Sequence, residues 1–186
     1  VRQYLPYGRI VELIRDIYKI TISEGTVANI LKRFSVDSED RINEIKGALK
    51  TAKVVGADET SAMVNGTKWW MHTYQNSTHT FIGAHPSRGQ IAQKTFFPDG
   101  FPFSILVHDC LSMQLATPAA AHQICNVHLL RELKAMTEAY PEVAWPKELM
   151  KLIKDALKLH KEGPTQNRVT RMNNRLAKLL EQDMSK

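Results

Sequence analysis

The spacing of apolar residues changes at Lys53 from a helical to a strand-like period, and this change constrains the fold more than any other feature. Before it, apolar side chains recur every three or four residues, as in residues 9–18, which is typical of amphipathic helices. Short apolar and β-branched runs with turn signals follow, and the helical period then returns. The sequence therefore predicts a helical arm over residues 1–52, a core with a sheet over residues 53–140, and helices over residues 141–186.

The arm is predicted to contain two helices joined by a short turn. Ser23 is a favourable N-cap for the second helix, residues 24–34, because its hydroxyl can accept a hydrogen bond from a free backbone N–H. A capped helix after a short turn indicates a helix-turn-helix, in which Lys32 and Arg33 would contact DNA. An ordinary helical hairpin is the alternative. The inward face of the second helix is predicted to carry Val27, Ile30, Leu31 and Phe34.

Strand-like runs and turn signals predict the order β-β-β-α-β for the core. The first strand is predicted to end near Asp58, and Asn65-Gly66 is a strong hairpin signal before an aromatic-rich run. A third strand ends at Pro86-Ser87, which begins a short helix, and a fourth strand ends at Asp109. The first three strands would form an antiparallel meander. Residues 122–127 are a candidate fifth strand.

Composition excludes several classes of protein. The chain has 186 residues, 43% of them hydrophobic, which is too apolar for a disordered tail. No apolar run reaches the roughly 18 residues that a membrane helix needs. Two cysteines exclude a disulfide framework and favour a reducing, cytoplasmic location.

The formal net charge of +6 is carried by the two helical parts. Residues 1–52 contribute +2, residues 53–127 are neutral, and residues 128–186 contribute +4. A basic surface attracts phosphate backbones, but solubility explains this charge equally well.

Basic stripes mark both helices of the C-terminal hairpin. The first helix carries Lys147, Lys151, Lys154, Lys158 and Lys161, and the second carries Arg168, Arg171, Arg175 and Lys178. A solvated outer face is the favoured interpretation of such stripes, and contact with DNA phosphates is the alternative.

Asp58 and Asp109 are the candidate catalytic residues, because each follows an apolar strand in a segment with four acids. A carboxylate at the end of a buried strand is costly unless it is paired or binds a cation. If the two strands are neighbours, repulsion between the carboxylates favours a bound Mg²⁺ or Mn²⁺, and a two-metal site would support in-line displacement at phosphorus. The alternative is that each aspartate merely caps its strand. Glu59 is predicted to point to the opposite face of the sheet.

Cys125 and His128 form a Cys-x-x-His pair, with His108, Cys110 and His122 nearby in the sequence. This pattern suggests zinc. A second cysteine pair with the spacing of a zinc finger is missing from the sequence, so a structural zinc site is the weaker interpretation.

Five segments in order resemble the transposases of the insertion-sequence-66 family, which are bacterial DDE transposases. They are VVGADET, NGTKWWMHTY, HPSRG, ILVHDC and ICNVHLLREL, within residues 54–133. The resemblance implies a ribonuclease H-like α/β core, with a mixed sheet flanked by helices, that binds two Mg²⁺ ions and cuts and joins double-stranded DNA at transposon ends. It also implies a homo-oligomer in the active complex and a cytoplasmic, nucleoid-associated protein.

The resemblance assigns roles to individual residues. Asp58 matches the first catalytic acid of the family and Asp109 the second, so both are expected to hold metal. His128 and Arg131 match a Cys-x-x-His…Arg signature that begins at Cys125, and Arg88 matches another family position. We count Arg88, His128 and Arg131 among the expected DNA contacts, and a packing role is the alternative for the signature of Cys125, His128 and Arg131.

The sequence departs from the family pattern at two places. CLSMQLA replaces the small-residue and tyrosine stretch that commonly follows the second acid. The third acid of the family is a Glu in an Asn-Asn-x-x-Glu-Arg context, but Asn173-Asn174 is followed by Arg175-Leu176-Ala177. We therefore expect a transposase fragment that is catalytically incomplete alone. A non-catalytic DNA-binding remnant and a ribonuclease H-type nuclease are the alternatives.

Overall fold

The structure, a computed structural model, describes residues 5–183, which form eight helices and five strands. The first four residues of the predicted arm lie outside the described residues. The helices are α1 (Tyr7–Tyr18), α2 (Glu24–Asp37), α3 (Glu39–Lys50), α4 (Gln90–Phe96), α5 (Ser112–Leu115), α6 (Asn126–Ala139), α7 (Trp145–Glu162) and α8 (Gln166–Asp183). The strands are β1 (Val54–Val64), β2 (Thr67–Gln75), β3 (Thr80–His85), β4 (Phe101–His108) and β5 (Ala119–Ile124). None of the helices in this range is long and apolar enough to cross a bilayer.

The five strands form one mixed sheet in the order β3-β2-β1-β4-β5. β1, β2 and β3 pair antiparallel, as the predicted meander requires. β4 pairs parallel to β1, and β5 pairs parallel to β4. A helix connects the antiparallel half to the parallel half, because parallel neighbours need a crossover. The predicted ribonuclease H-like fold class is confirmed.

The prediction that the first strand ends near Asp58 is wrong, because β1 continues to Val64. β2 pairs with β1 from Gly56 to Val64, and Asn65 and Gly66 form the turn of this hairpin with φ angles of 49° and 77°. Such a turn needs positive φ at both central residues, which Asn and Gly tolerate. The last pair between β1 and β4 is Gly56 with Val107, and Asp58 lies two residues beyond it on β1.

β5 begins three residues before the predicted range 122–127, and the helix after it begins at Asn126. Alanines 119–121 have little strand propensity, so the sequence does not reveal them. Pairing with β4 places them, starting with Phe101 opposite Ala119. Cys125 is therefore the N-cap residue of α6 rather than a strand residue.

One face of the sheet, here called the covered face, carries the hydrophobic core. α3 and the segment after α4 pack against it and bury aromatic and aliphatic side chains from four elements. The core consists of Leu49, Val55, Ala57, Tyr74, Phe97, Phe101 and Leu106. The opposite face, here called the open face, exposes Val54, Ile82 and Ile105. Residues of β1 alternate between the two faces.

The arm packs more loosely than its sequence pattern predicts. The Ser23 hydroxyl caps α2 by accepting a hydrogen bond from the Thr26 backbone N–H at 3.0 Å. Of the four residues predicted to face inward, Val27 is buried, whereas Ile30 and Phe34 are exposed. The prediction is wrong for Phe34, whereas Ile30 and Leu31 line an apolar groove between α1 and α2.

Candidate active site

Asp58 lies on β1, and Asp109 directly follows the neighbouring strand β4. The β1–β4 ladder pairs Val54 with Ile105 and ends where Gly56 pairs with Val107. Continued for two residues in the same register, the ladder brings Asp58 level with Asp109. Both aspartates therefore lie at the edge where the parallel pairing of β1 and β4 ends, which is where ligands bind in open α/β sheets.

The two aspartates have different surroundings. Asp58 is exposed on the open face, and its Oδ1 accepts a hydrogen bond from the Glu59 backbone N–H at 2.9 Å. Asp109 follows the last residue of β4, and its Oδ1 accepts a hydrogen bond from the Leu111 backbone N–H at 3.1 Å. Cys110, which lies between Asp109 and Leu111, has a left-handed φ of 71°. The chain therefore turns sharply directly after Asp109.

Glu59 lies on the covered face and belongs to a buried polar cluster beside Asp109. Its side chain is 1% exposed, and its Oε2 lies 3.6 Å from Arg88 Nη2. The same Arg88 nitrogen lies 3.4 Å from Asp109 Oδ2. Gln114 donates a hydrogen bond from Nε2 to Glu59 Oε1. Burial raises the pKa of the Glu59 carboxyl, and the hydrogen bond from Gln114 and the charge of Arg88 oppose that rise.

Arg88 reaches this cluster from the connection between β3 and α4. Its guanidinium carbon lies 4.8 Å from the centre of the Trp70 ring, at cation–π distance. Alternation along the strand predicts the face on which Glu59 lies, but no local pattern predicts its partners. Gln114 is 55 positions away from Glu59 in the sequence.

His108 supports the turn that carries Asp109. It is fully buried, and its Nδ1 accepts a hydrogen bond from the Cys110 backbone N–H at 3.1 Å. Its Nε2 therefore carries the proton and donates to His122 Nδ1 at 3.0 Å. Burial lowers the pKa of His108, and the neighbouring His122 lowers it further.

Cys125 and His128 lie at the start of α6, near Asp58. The pKa of His128 is raised, chiefly by its hydrogen bond with Cys125 and also by the charge of Asp58. Burial raises the pKa of the Cys125 thiol, but hydrogen bonds from His128 and the Val127 backbone, together with the charge of His128, lower the pKa overall. Arg131 lies one turn along α6 and is exposed. Cys125 and Asp58 are therefore close enough to His128 for each to influence its ionisation.

Lys32 and Arg33 lie on α2, which packs mainly against α1 and α3. Both side chains are exposed. The fold thus groups Asp58, Asp109 and His128 at one edge of the sheet and leaves the two arm residues on a separate surface.

The donor set suits a hard divalent cation. Mg²⁺ is commonly held by one or two carboxylates and keeps several waters, and Asp58 and Asp109 supply two carboxylates at one edge. Within residues 5–183, no group of three or more His, Cys, Asp and Glu side chains has the geometry of a metal site. The two aspartates therefore fit Mg²⁺ or Mn²⁺ better than zinc, which prefers four protein ligands in structural sites.

The model of the Transposase IS66 family, DDE_Tnp_IS66, matches residues 1–186. No protein with curated annotation matches the chain.

Proposed function

This chain belongs to the IS66 family of transposases, and we propose that Asp58 and Asp109 hold the divalent metal with which the transposase cleaves transposon ends and joins them to target DNA. The register of β1 and β4 carries this proposal, because it brings the two acids level at one edge of the sheet. The charge of the aspartates and their position beyond the β1–β4 ladder favour a role in binding a cation.

The residues around the two aspartates have complementary tasks in this proposal. A bound Mg²⁺ or Mn²⁺ supplies Lewis-acid stabilisation of the charge that develops at phosphorus. Asp58 is exposed on the open face, so a DNA phosphate can approach it. The backbone N–H of Leu111 and the guanidinium of Arg88 hold the carboxylate of Asp109. The pKa of His128 is raised by its hydrogen bond with Cys125 and by the charge of Asp58, so the Asp58 carboxylate favours the protonated ring.

The proposed substrate is double-stranded DNA at the transposon ends and in the target. His128 and Arg131 on α6 are proposed DNA contacts beside Asp58. Lys32 and Arg33 belong to the arm, where a helix-turn-helix would bind DNA separately. The guanidinium of Arg88 is shared between two carboxylates, so its contact with DNA would compete with these ion pairs. We also propose a homo-oligomer in the active complex, which sedimentation with and without DNA would test.

The proposal predicts that the Asp58→Asn and Asp109→Asn substitutions in the native gene product abolish strand cleavage and transfer. We expect a loss of roughly 100-fold or more, because each change removes a charged ligand of the proposed metal, and the metal is what would stabilise the charge on the reacting phosphate. Binding to transposon ends should persist, since neither substitution removes a positive charge. Cleavage and joining of labelled end DNA in Mg²⁺ and gel-shift titrations measure the two properties.

Asp99→Asn provides the matched control. Asp99 is 77% exposed in the turn before β4 and pairs weakly with Lys50 at 3.6 Å. This variant loses the same charge away from the site and should retain full activity. Strand transfer at the wild-type level by either Asp58→Asn or Asp109→Asn would contradict the proposal that both aspartates hold the catalytic metal.

A further inference from the structure

Arg88 lies between two carboxylates at nearly equal distances. Its Nη2 is 3.6 Å from Glu59 Oε2 and 3.4 Å from Asp109 Oδ2. The charge of the Arg88 guanidinium is therefore shared between Asp109, which is proposed to hold the metal, and Glu59, to which no role has been assigned.

Glu59 is the fixed member of this group. It lies on β1 in the middle of the sheet, its side chain is 1% exposed, and Gln114, which is also buried, holds its Oε1. Arg88 is the less constrained member, because it extends from a connection, its side chain is 37% exposed, and its guanidinium carbon lies 4.8 Å from the centre of the Trp70 ring. Glu59 can thus retain the guanidinium while Asp109 turns to another partner.

Buried polar atoms in the cluster lack hydrogen-bond partners among the described residues. These atoms are Glu59 Oε2, Arg88 Nε and Gln114 Oε1. An unsatisfied buried polar atom costs free energy, so a purely structural cluster would be expected to satisfy them. Each of the three side chains therefore has hydrogen-bonding capacity that the other described residues do not use.

We propose that Glu59 and Arg88 are a positioning pair that sets the affinity of Asp109 for the divalent metal, with Arg88 competing for the Asp109 carboxylate and Glu59 drawing Arg88 away from it. This inference rests on the proposed metal-binding role of Asp58 and Asp109. Two cations compete for one carboxylate and repel each other. Removal of the Glu59 charge therefore leaves Arg88 entirely on Asp109, whereas removal of the Arg88 charge frees Asp109.

The test is the affinity of the purified chain for Mn²⁺, measured by calorimetry and by the Mn²⁺ electron paramagnetic resonance signal without DNA. Glu59→Gln should weaken Mn²⁺ binding roughly 10-fold, the size of effect seen when partners of metal ligands are changed. Arg88→Gln should strengthen it. Arg88→Lys, which keeps the charge, should bind Mn²⁺ about as well as the wild type.

Glu59→Gln and Arg88→Gln should change the Mn²⁺ affinity in opposite directions if the pair positions Asp109. A cluster that only supports the fold would weaken metal binding in both variants. Glu59→Asp keeps the buried charge and should lower the affinity less than Glu59→Gln. Circular dichroism and urea unfolding show which variants are folded, and the Arg88 variants test the competition even if Glu59→Gln does not fold.

The two proposals fail in different ways. If Asp58→Asn and Asp109→Asn bind Mn²⁺ as the wild type does, the proposed function is wrong, and this inference falls with it. If those two variants lose Mn²⁺ binding but Glu59→Gln and Arg88→Gln shift the affinity in the same direction or not at all, the positioning pair alone is overturned.

Discussion

His72 is a histidine that the fold keeps neutral. Its ring is fully buried on the covered face, and its Nε2 donates a hydrogen bond to the backbone carbonyl of Ser87 at 3.1 Å. Burial lowers the pKa of His72, and the nearby His85 and Arg88 lower it further. Glu59 pairs with His72 across the β1–β2 ladder but does not offset these effects. Protonation of His72 is therefore disfavoured in the folded state.

The lowered pKa predicts a loss of stability in mild acid. In the unfolded chain a histidine titrates near 6.5, so the unfolded state binds a proton below that pH that folded His72 does not accept. The free energy of unfolding should fall as the pH drops from about 6.5 towards the lower folded pKa, by at most about 1.4 kcal/mol per pH unit. Urea unfolding at pH 7.5 and 5.5 measures this dependence.

His72→Gln can keep the hydrogen bond to Ser87 and should reduce the pH dependence. His160→Gln, at an exposed position on α7, should leave it unchanged. An identical pH dependence in the wild type and in His72→Gln would show that the buried ring does not control the acid response.

At the scale of single residues, the sequence predicts which residues belong to the candidate site better than it predicts which residues they contact. Asp58 and Asp109 could be selected because acids are few among the apolar strands, and alternation correctly separates Glu59 from Asp58. The contacts of Arg88 could not be predicted, since they join positions that are distant in the sequence, such as Asp109, 21 residues away. Such contacts depend on sheet order and on the path of the β3–α4 connection, which local spacing does not encode.

At the scale of elements, periodicity predicts that strands and helices exist but not where each one ends. β1 extends beyond Asp58 because β2 continues to pair with it. The alanine-rich start of β5 is a strand because β4 lies beside it. The exposed Ile30 and Phe34 on α2 show the same limit, because an apolar stripe does not reveal which element covers it.

α8 presents a polar and basic stripe along a shallow groove. Asn167, Thr170, Arg171, Asn174, Arg175 and Lys178 line it. Arg175 is paired with Asp155 of α7 at 3.2 Å, whereas Arg171 and Lys178 have no acidic partner within 4.0 Å in the described part of the chain. The sequence alone favours a solvated face for such a stripe. The two unpaired cations leave contact with phosphates open to a direct test.

Substitution of both Arg171 and Lys178 by alanine is expected to weaken DNA binding. The fall of the logarithm of the binding constant with the logarithm of the salt concentration should become shallower by about 2. Each cation that contacts a phosphate contributes roughly 0.9 to that slope. Fluorescence anisotropy with duplex DNA at several salt concentrations measures it.

Lys154→Ala combined with Lys161→Ala removes the same charge from the exposed side of α7. This control should reduce the slope much less. Equal slopes in the two double variants would indicate that net charge, and not the α8 stripe, governs DNA binding.

At the scale of the whole molecule, the hydrophobic core lies on the covered face of the sheet, whereas the open face exposes apolar side chains. β4 shows this asymmetry within three residues, because Phe101 is fully buried and Phe103 is 82% exposed. Phe101 packs against Phe97 and Tyr74, with ring centres 4.8 and 5.5 Å away. Most of the apolar surface that this sheet buries therefore lies on the side of α3.

This asymmetry predicts very different costs for the same substitution at two neighbouring phenylalanines. Phe101→Ala should lower the free energy of unfolding by about 3–5 kcal/mol, because it removes a buried ring and leaves a cavity among aromatic side chains. Phe103→Ala should change it by no more than about 0.5 kcal/mol, as is usual for exposed positions. Urea unfolding of both variants, with the m-value checked for each, compares them directly.

Equal losses at the two positions would contradict a one-sided core. A loss at Phe103 that grows with protein concentration would have a different meaning, because only contacts between molecules depend on concentration. In that case the open face would be buried against a second copy in solution, and the same face carries Asp58. Repeating the Phe103→Ala measurement over a 100-fold range of concentration therefore shows whether the surface around the first aspartate is free to receive DNA.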